Sequence, residues 1–405
     1  MDREIYLDNA ATTKPDEKVI EAVECAMRDS YGNPSSLHKK GIEAEGIFRE
    51  ASEVIAKSLK VKPGEIIFNS GGTESNNSAI IGTALAYKRT GMHIVTTELE
   101  HPSVTSVTEY LKQQGFDVTY IAPDKTGRID PDTLKKAIRP DTTLVSVMTV
   151  NNEIGTIQDI ATLAKTAKEV NPEIRFHTDA VQAYGKLRLT PEKWSVDMMS
   201  VSGHKLHGPK GVGFLYMPYT GKTHPYIHGG GQQKNRRSGT ENIPGIAGMG
   251  AAAKLANDGI DEHLKKAADQ KRLFLELISD IENVVLQGVS EDFSDDRKIS
   301  DEEIKRSIDT TFYSPYIISI GVKDIKSEVL LHALEEEGIY VSSGSACSSN
   351  HPGISRTLTA TGTPKEYIDS TIRLSLSRFT TDEEIRITAE AFHKLIPTFR
   401  RFVKR

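Results

Sequence analysis

A chain of 405 residues is longer than one ordinary hydrophobic core organises, so two domains are expected. Apolar residues make up 37% and charged residues 26%, a soluble globular balance, and no run reaches the ~18 apolar residues that a membrane span needs. The net charge of −5 gives no bulk field for nucleic acid or an anionic membrane. Two cysteines, Cys25 and Cys347, cannot make a disulfide framework, so with no signal-peptide pattern at Met1-Asp-Arg-Glu-Ile-Tyr the expected setting is cytoplasmic.

Taken in order, Tyr6–Thr13 is a short extended lead-in, and Pro15 suits the first turn of a helix over 15–29. Tyr31–Ser36 is a breaker cluster and hence a loop, and 39–60 repeats apolar residues at helical spacing. From residue 65 the pattern is strand, loop, helix, several times over. Strands are expected at 65–69, 93–97, 117–121 and 143–150, then before Asp179, before Lys205 and at 211–217. Helices are expected from 72 to about 89, from 102, near 131–138 and from 159. Such alternation implies a mostly parallel sheet covered on both faces, whose ligands bind beyond the carboxyl ends of the strands. Those ends carry Thr73, His101, Asn152, Asp179 and Lys205.

Around 259 the texture changes. A charged helix is expected over 261–282, a strand near 283–288, an acidic exposed excursion with one short helix over 290–314, and a buried strand at 315–321. A helix at 326–337, a strand at 371–377 and a closing helix at 382–400 follow. The reading is an α/β large domain over 15–259 and a smaller α+β domain formed by 1–14 and 260–405.

Several of these residues carry chemistry. Lys205 lies among small and polar residues at a strand end, where a dry electropositive pocket would make its amine a nucleophile for carbonyls; the plain alternative is a solvated lysine in a surface turn. Asp179 ends the preceding strand. A lysine and an aspartate on neighbouring strand ends are what pyridoxal phosphate (PLP) requires, the lysine for the aldehyde and the aspartate for the ring nitrogen; otherwise the two form a structural ion pair. Gly71-Gly72-Thr73 opens a helix and offers N–H groups to a phosphate, with Ser202 and His204 as further donors, though Gly-Gly-Thr is also an ordinary helix start. His101 reads as a general acid or base, a ring stacked on a cofactor, or a core histidine. Cys347 sits in Ser-Ser-Gly-Ser-Ala-Cys-Ser-Ser, the setting of an exposed thiol on a flexible loop or of an incidental surface cysteine, while Cys25 on its helix has no chemical role. Arg373, in an otherwise apolar strand, is either a core ion-pair partner or a clamp for a carboxylate. No metal site is expected.

With these residues in hand, the chain resembles the NifS/IscS-type cysteine desulfurases, PLP enzymes of fold type I. The matching segments are YLDNAATT (6–13), YGNPSS (31–36), SGGTESNN (70–77), TELEH (97–101), VNNEIGTIQDI (150–160), FHTDAVQAYGK (176–186), SVSGHKLHGPKGVG (200–213), RRSGTENIPG (236–245), SSGSACSS (342–349) and SLSRFTTDEEI (375–385). The resemblance implies that Lys205 holds PLP covalently and later takes up the substrate α-proton. It further implies that Asp179 pairs with the ring nitrogen, Gln182 with the phenolic oxygen, and that His101 stacks on the ring. Gly72, Thr73, Ser202 and His204 would bind phosphate, joined by Thr240 from the other subunit of a homodimer. Asn152 and Arg373 would orient L-cysteine, and Cys347 would take its sulfur as a persulfide, leaving L-alanine. The SSGSAC form resembles the group with a long catalytic loop, which implies delivery of sulfur to an iron–sulfur scaffold or a tRNA-thiolation protein, with no direct nucleic-acid contact. The excursion at 290–314 is longer than the resemblance leads one to expect, Ser377 stands where glycine is usual, and two residues are inserted near Asn171-Pro172; none of these touches the chemistry. The alternatives are another PLP-dependent lyase or aminotransferase of the same fold, in which Cys347 has no role, and a sulfur-relay scaffold, in which Lys205 has none.

Overall fold

The computed structural model describes residues 4–219, 222–343 and 355–403. Its strands are β1 (Ile5–Tyr6), β2 (Ile66–Asn69), β3 (His93–Thr97), β4 (Asp117–Ile121), β5 (Thr142–Ser146), β6 (Arg175–Asp179), β7 (Met198–Ser202), β8 (Gly213–Tyr216), β9 (Val284–Leu286), β10 (Ile317–Val322), β11 (Ile339–Tyr340), β12 (Ser342–Ser343) and β13 (Thr371–Ser375). Seven of them form one sheet in the order β2-β8-β7-β6-β5-β3-β4. The pairs from β7 through β4 are all parallel, and β8 runs antiparallel to both its neighbours. The mostly parallel α/β sheet expected from the alternation is therefore present.

Apart from the edge strand β4, these strands are almost wholly buried because helices cover both faces. Polar side chains inside the sheet are paired across strands: the His93 ring meets Thr142 Oγ1 at 2.7 Å and Thr119 Oγ1 at 2.8 Å, and the His177 ring meets Ser146 Oγ at 2.8 Å and Ser200 Oγ at 2.9 Å. Burial pushes the His177 pKa down to about 3, so this ring is neutral and structural. Four helices matter to the site: α1 (Glu17–Asp29), α2 (Lys39–Leu59), α3 (Gly72–Tyr87) and α4 (Pro102–Gln113).

A four-stranded antiparallel sheet, β12-β13-β10-β9, carries a separate apolar cluster with Ile320, Leu374, Phe274 and Phe392 at its centre. The Phe274 and Phe392 rings meet edge to face at 5.4 Å, an arrangement that adds on the order of 1 kcal/mol to simple burial. The two-stranded pair β1-β11 ties the start of the chain to this part, and an isolated bridge from Asp8 to Ser375 adds a second tie, to β13.

The structure departs from the sequence reading in four places. The strand expected over 143–150 is confined to Thr142–Ser146, and the remaining residues turn away to form the wall that carries Asn152. The charged helix spans Ile260–Ile278 and follows a helix over Ile243–Asp258 that the sequence reading leaves unassigned. The strand near 283–288 is the three residues of β9. The acidic stretch 290–314 is anchored rather than merely exposed: Ile299, Ile304 and Tyr313 are buried, Ser300 and Glu303 form a reciprocal cap on the helix Asp301–Ser307, and Arg297 holds Glu303 at 2.6 Å.

Candidate active site

β7 delivers Ser202 to the sheet edge, and a single tight turn, Gly203–Lys205, follows. The Lys205 amine donates to the carbonyls of Ala10 and Ala11, each at 2.6 Å. The segment after β1 lies along this turn: Thr13 Oγ1 donates to the His204 carbonyl at 2.9 Å, the His207 N–H donates to Thr13 Oγ1 at 2.8 Å, and Thr12 Oγ1 meets His204 Nδ1 at 3.1 Å. Gln182 Nε2 donates to the same Ala10 carbonyl at 2.9 Å.

Asp179, at the end of β6, is 6% exposed. Its Oδ2 accepts from Asn76 Nδ2 at 2.7 Å and its Oδ1 from the Val181 N–H at 2.9 Å, which fixes the carboxylate plane while leaving lone pairs on both oxygens. Asn76 also donates to Ser103 Oγ at 2.8 Å, and that hydroxyl lies 2.8 Å from His101 Nδ1. His101 caps α4, its Nδ1 accepting the Ser103 N–H at 3.1 Å. An Nδ1 that accepts puts the ring proton on Nε2. Burial lowers the His101 pKa, with Asp179 opposing and Lys205 reinforcing that shift, so the ring is neutral at physiological pH.

The third wall is the start of α3. Its N-cap, Gly71, has φ 141, and no side chain caps the helix, so the first N–H groups lack the intrahelical partners that later ones have. A Cβ on Gly72 would fall 2.8 Å from Val181 Cγ2, so only glycine lets this helix start come so close to β6. Across from it stand Ser202 and His204. Burial, with Lys205, Lys210 and Lys186, pushes the His204 pKa down to about 4, so this imidazole acts as a hydrogen-bonding group without charge. Arg237 holds Glu74, on the first turn of α3, at 2.9 Å and so pins the 236–240 segment beside the helix start.

These walls enclose a cleft of ≈ 250 Å³. Nine residues singled out from the sequence line it: Gly72, Thr73, His101, Asn152, Asp179, Gln182, Ser202, His204 and Lys205. Arg373 lies behind this lining, 2% exposed on β13, with Nη1 donating to the Asn152 carbonyl and Nη2 to Asp8 Oδ1, both at 2.9 Å. Both alternatives posed for this arginine thus have a basis: it is an ion-pair partner, and its Nε is buried with no hydrogen-bond partner. Thr240 is exposed and does not line this chain's cleft. Cys347 lies outside the described residues; the chain reaches that segment from β12, paired to β13 at Arg373, and leaves it at Ser355. Ser355 and Thr357 donate to the Glu153 carboxylate at 2.5 and 3.1 Å, next to Asn152. Cys25 is exposed on α1, apart from the cleft.

Sequence reasoning missed the residues that hold the lining in place. The Ala10 carbonyl acts through the backbone and has no side-chain signature. Asn76 was detectable, since it stands three residues after Thr73 on a helix that opens at the site. Glu100, one residue before His101, is buried; Met148 N–H and Thr97 Oγ1 both donate to its Oε1 at 2.8 Å, and burial lifts its pKa to about 8.

Residues 5–387 match the family model for class-V aminotransferases. The chain is 41% identical over 400 residues to a cysteine desulfurase IscS of Dictyoglomus turgidum, covering 99% of this chain and 96% of that one. It is 39% identical over 396 residues to a cysteine desulfurase IscS of Methanosarcina thermophila, covering 98% and 93%. Among solved structures, a NifS-like protein superposes with a TM-score of 0.87 at 33% identity, over 98% of this chain and 100% of that one. The chain belongs to the class-V aminotransferase family, within its NifS/IscS group of cysteine desulfurases.

Proposed function

We propose that this protein is a PLP-dependent cysteine desulfurase that converts L-cysteine to L-alanine and carries the sulfur as a persulfide on Cys347. The observation that carries the reading is the convergence of Lys205 and the buried Asp179 on one cleft beside an uncapped helix start. The cofactor suits these residues: Asp179 keeps lone pairs for a protonated ring nitrogen, Gln182 has an amide for the phenolic oxygen, and His101 presents a neutral ring. For the phosphate there are the opening N–H groups of α3 with Thr73, Ser202 and His204, completed by Thr240 of a second subunit in a homodimer. When bound, pyridoxal phosphate supplies an aldehyde that condenses with amines and a ring that accepts electron density from the substrate α-carbon.

The chain's own groups do the rest. Lys205 Nζ takes the substrate α-proton. Asn152 and Arg373 hold the substrate carboxylate, Arg373 through N–H groups beyond those given to Asp8 and Asn152. Cys347 loses its thiol proton and, as thiolate, attacks the sulfur atom of cysteine; one C–S bond breaks, one S–S bond forms, the electron pair of the broken bond stays on carbon, and proton return to that carbon and to the α-carbon gives alanine. The further transfer goes to an iron–sulfur scaffold or a tRNA-thiolation protein, in a cytoplasmic setting. The large domain over 15–259 carries the cleft, and the small domain, 1–14 with 260–405, carries Arg373 and Cys347.

Incubating the PLP-loaded protein with L-cysteine and a thiol reductant tests this reading. One alanine per sulfide is expected. A keto acid formed in place of alanine would point instead to an aminotransferase.

A further inference from the structure

Lys186 lies on no wall of the main cleft, yet it is buried directly behind it. It closes the turn after β6 one helical repeat beyond Gln182, and Gly185, at φ 75, reverses the chain just before it. Its ε-amine donates to Gln182 Oε1 at 3.1 Å, while Gln182 Nε2 donates to Ala10 O at 2.9 Å. On its other side the amine stands 5.7 Å from the centre of the Tyr316 ring, and with Lys205 and Tyr316 it borders a small cavity of ≈ 30 Å³.

We propose that Lys186 is a positioning residue for Gln182, holding the side-chain amide in the one orientation that presents its second N–H to the cofactor's phenolic oxygen. This rests on the reading that the cleft binds pyridoxal phosphate. The two ends of an amide are nearly equal in shape, so packing alone does not choose between them. An ammonium has donors and no acceptor, and it therefore fixes Oε1 toward itself. A reversed amide would aim oxygen lone pairs at an anionic phenolate. Burial, then Lys205 and Arg373, push the Lys186 pKa down to about 7; the neutral amine keeps two N–H donors for Oε1, and the Ala10 carbonyl, an acceptor only, holds Nε2 on the other side.

The test uses the full-length protein, stripped of cofactor and titrated with pyridoxal phosphate, with binding read from the visible absorbance. Lys186→Met is expected to weaken cofactor binding about tenfold, and Lys186→Arg, which keeps donors, to recover most of it. Gln182→Ala is expected to weaken binding similarly, and adding Lys186→Met to it to cost less than a further twofold, since the amide to be oriented is gone. A structural role would instead carry its full effect into the Gln182→Ala background, and that outcome overturns the proposal. So does a Lys186→Met protein whose affinity is within twofold of the parent's. Where Met is not tolerated, Lys186→Gln supplies the same comparison with a shorter donor. A parent protein that fails to bind pyridoxal phosphate removes this proposal together with the reading beneath it.

Discussion

The amine of Lys205 and the side-chain amide of Gln182 donate to one and the same oxygen, the Ala10 carbonyl, at 2.6 and 2.9 Å. The nucleophile and the group beside it are thus held by backbone that belongs to neither of their own strands. Lys205→Ala removes two donors from that backbone and the amine from the cleft. It is expected to stay folded by circular dichroism, to lose the borohydride-sensitive band near the visible edge that a lysine-bound PLP produces, and to form no alanine.

Cys347→Ser is expected to keep cofactor absorbance and release almost no sulfide, because a hydroxyl is a far weaker nucleophile than a thiolate toward sulfur. Cys25→Ser, on the exposed face of α1, should match the parent. Mass spectrometry of tryptic peptides after cysteine treatment checks both: one added sulfur belongs on the Cys347 peptide, and its recovery on Cys25 would refute the assignment.

Arg373→Lys keeps a cation but loses the fork that serves Asp8 and Asn152 and that, on the proposed function, also receives a substrate carboxylate. The expected result is a KM for cysteine raised at least tenfold with a smaller change in kcat. Arg373→Ala should also cost stability on the order of 3 kcal/mol, read by urea unfolding, since it strands Asp8 without its partner.

Glu100 gives a pH signature. Its folded pKa of about 8 lies above the ordinary value of 4.5, so between those limits the folded chain binds a proton that the unfolded chain has lost. Its contribution to stability therefore falls as pH rises from about 4.5 to 8 and is flat beyond. Glu100→Gln, nearly the same shape and always neutral, should match the parent near pH 5 and melt higher than the parent at pH 8.

His207 acts with the opposite sign. Burial holds its pKa near 4, below the ordinary 6.5, so its contribution is present above 6.5 and is lost as pH falls toward 4. His207→Gln should flatten the acid limb of the melting-temperature profile while leaving the alkaline limb, which Glu100 sets, unchanged.

The sheet and its edge were legible because short strands rich in β-branched and apolar residues alternate with helices and end in short polar motifs. Asp179, Ser202 and Lys205 could be placed on one edge from that pattern alone. The helix Ile243–Asp258 was not legible, because Gly245, Gly248 and Gly250 argue against a helix by propensity. Packing overrules propensity there: a Cβ on Gly248 would fall 2.5 Å from Pro209 Cγ and 2.6 Å from Val23 Cγ2, so the glycines are what let this helix nest against α1 and the lysine turn. In the acidic stretch, Ile299 and Ile304 are spaced too widely among charges to declare a core, and their burial depends on partners distant in sequence. Lys186 escaped notice for a similar reason, since a lone lysine after a glycine reads as surface until the turn is seen to fold it inward.

The lead-in segment after β1 has a bearing on how the protein is made. Asp8 finds Arg373 across 365 residues, and Ala10 and Ala11 find Lys205 across nearly 200. At ribosomal rates of roughly 5–20 residues per second the first of these separations corresponds to tens of seconds of synthesis. All seven strands of the large sheet, with the lysine turn, are synthesised well before that. During that interval the stretch that must finally cover them has no β11 and no β13 to pair with. A nascent chain stalled before Thr371 would thus hold every strand of its large sheet yet lack Arg373, the partner of Asp8.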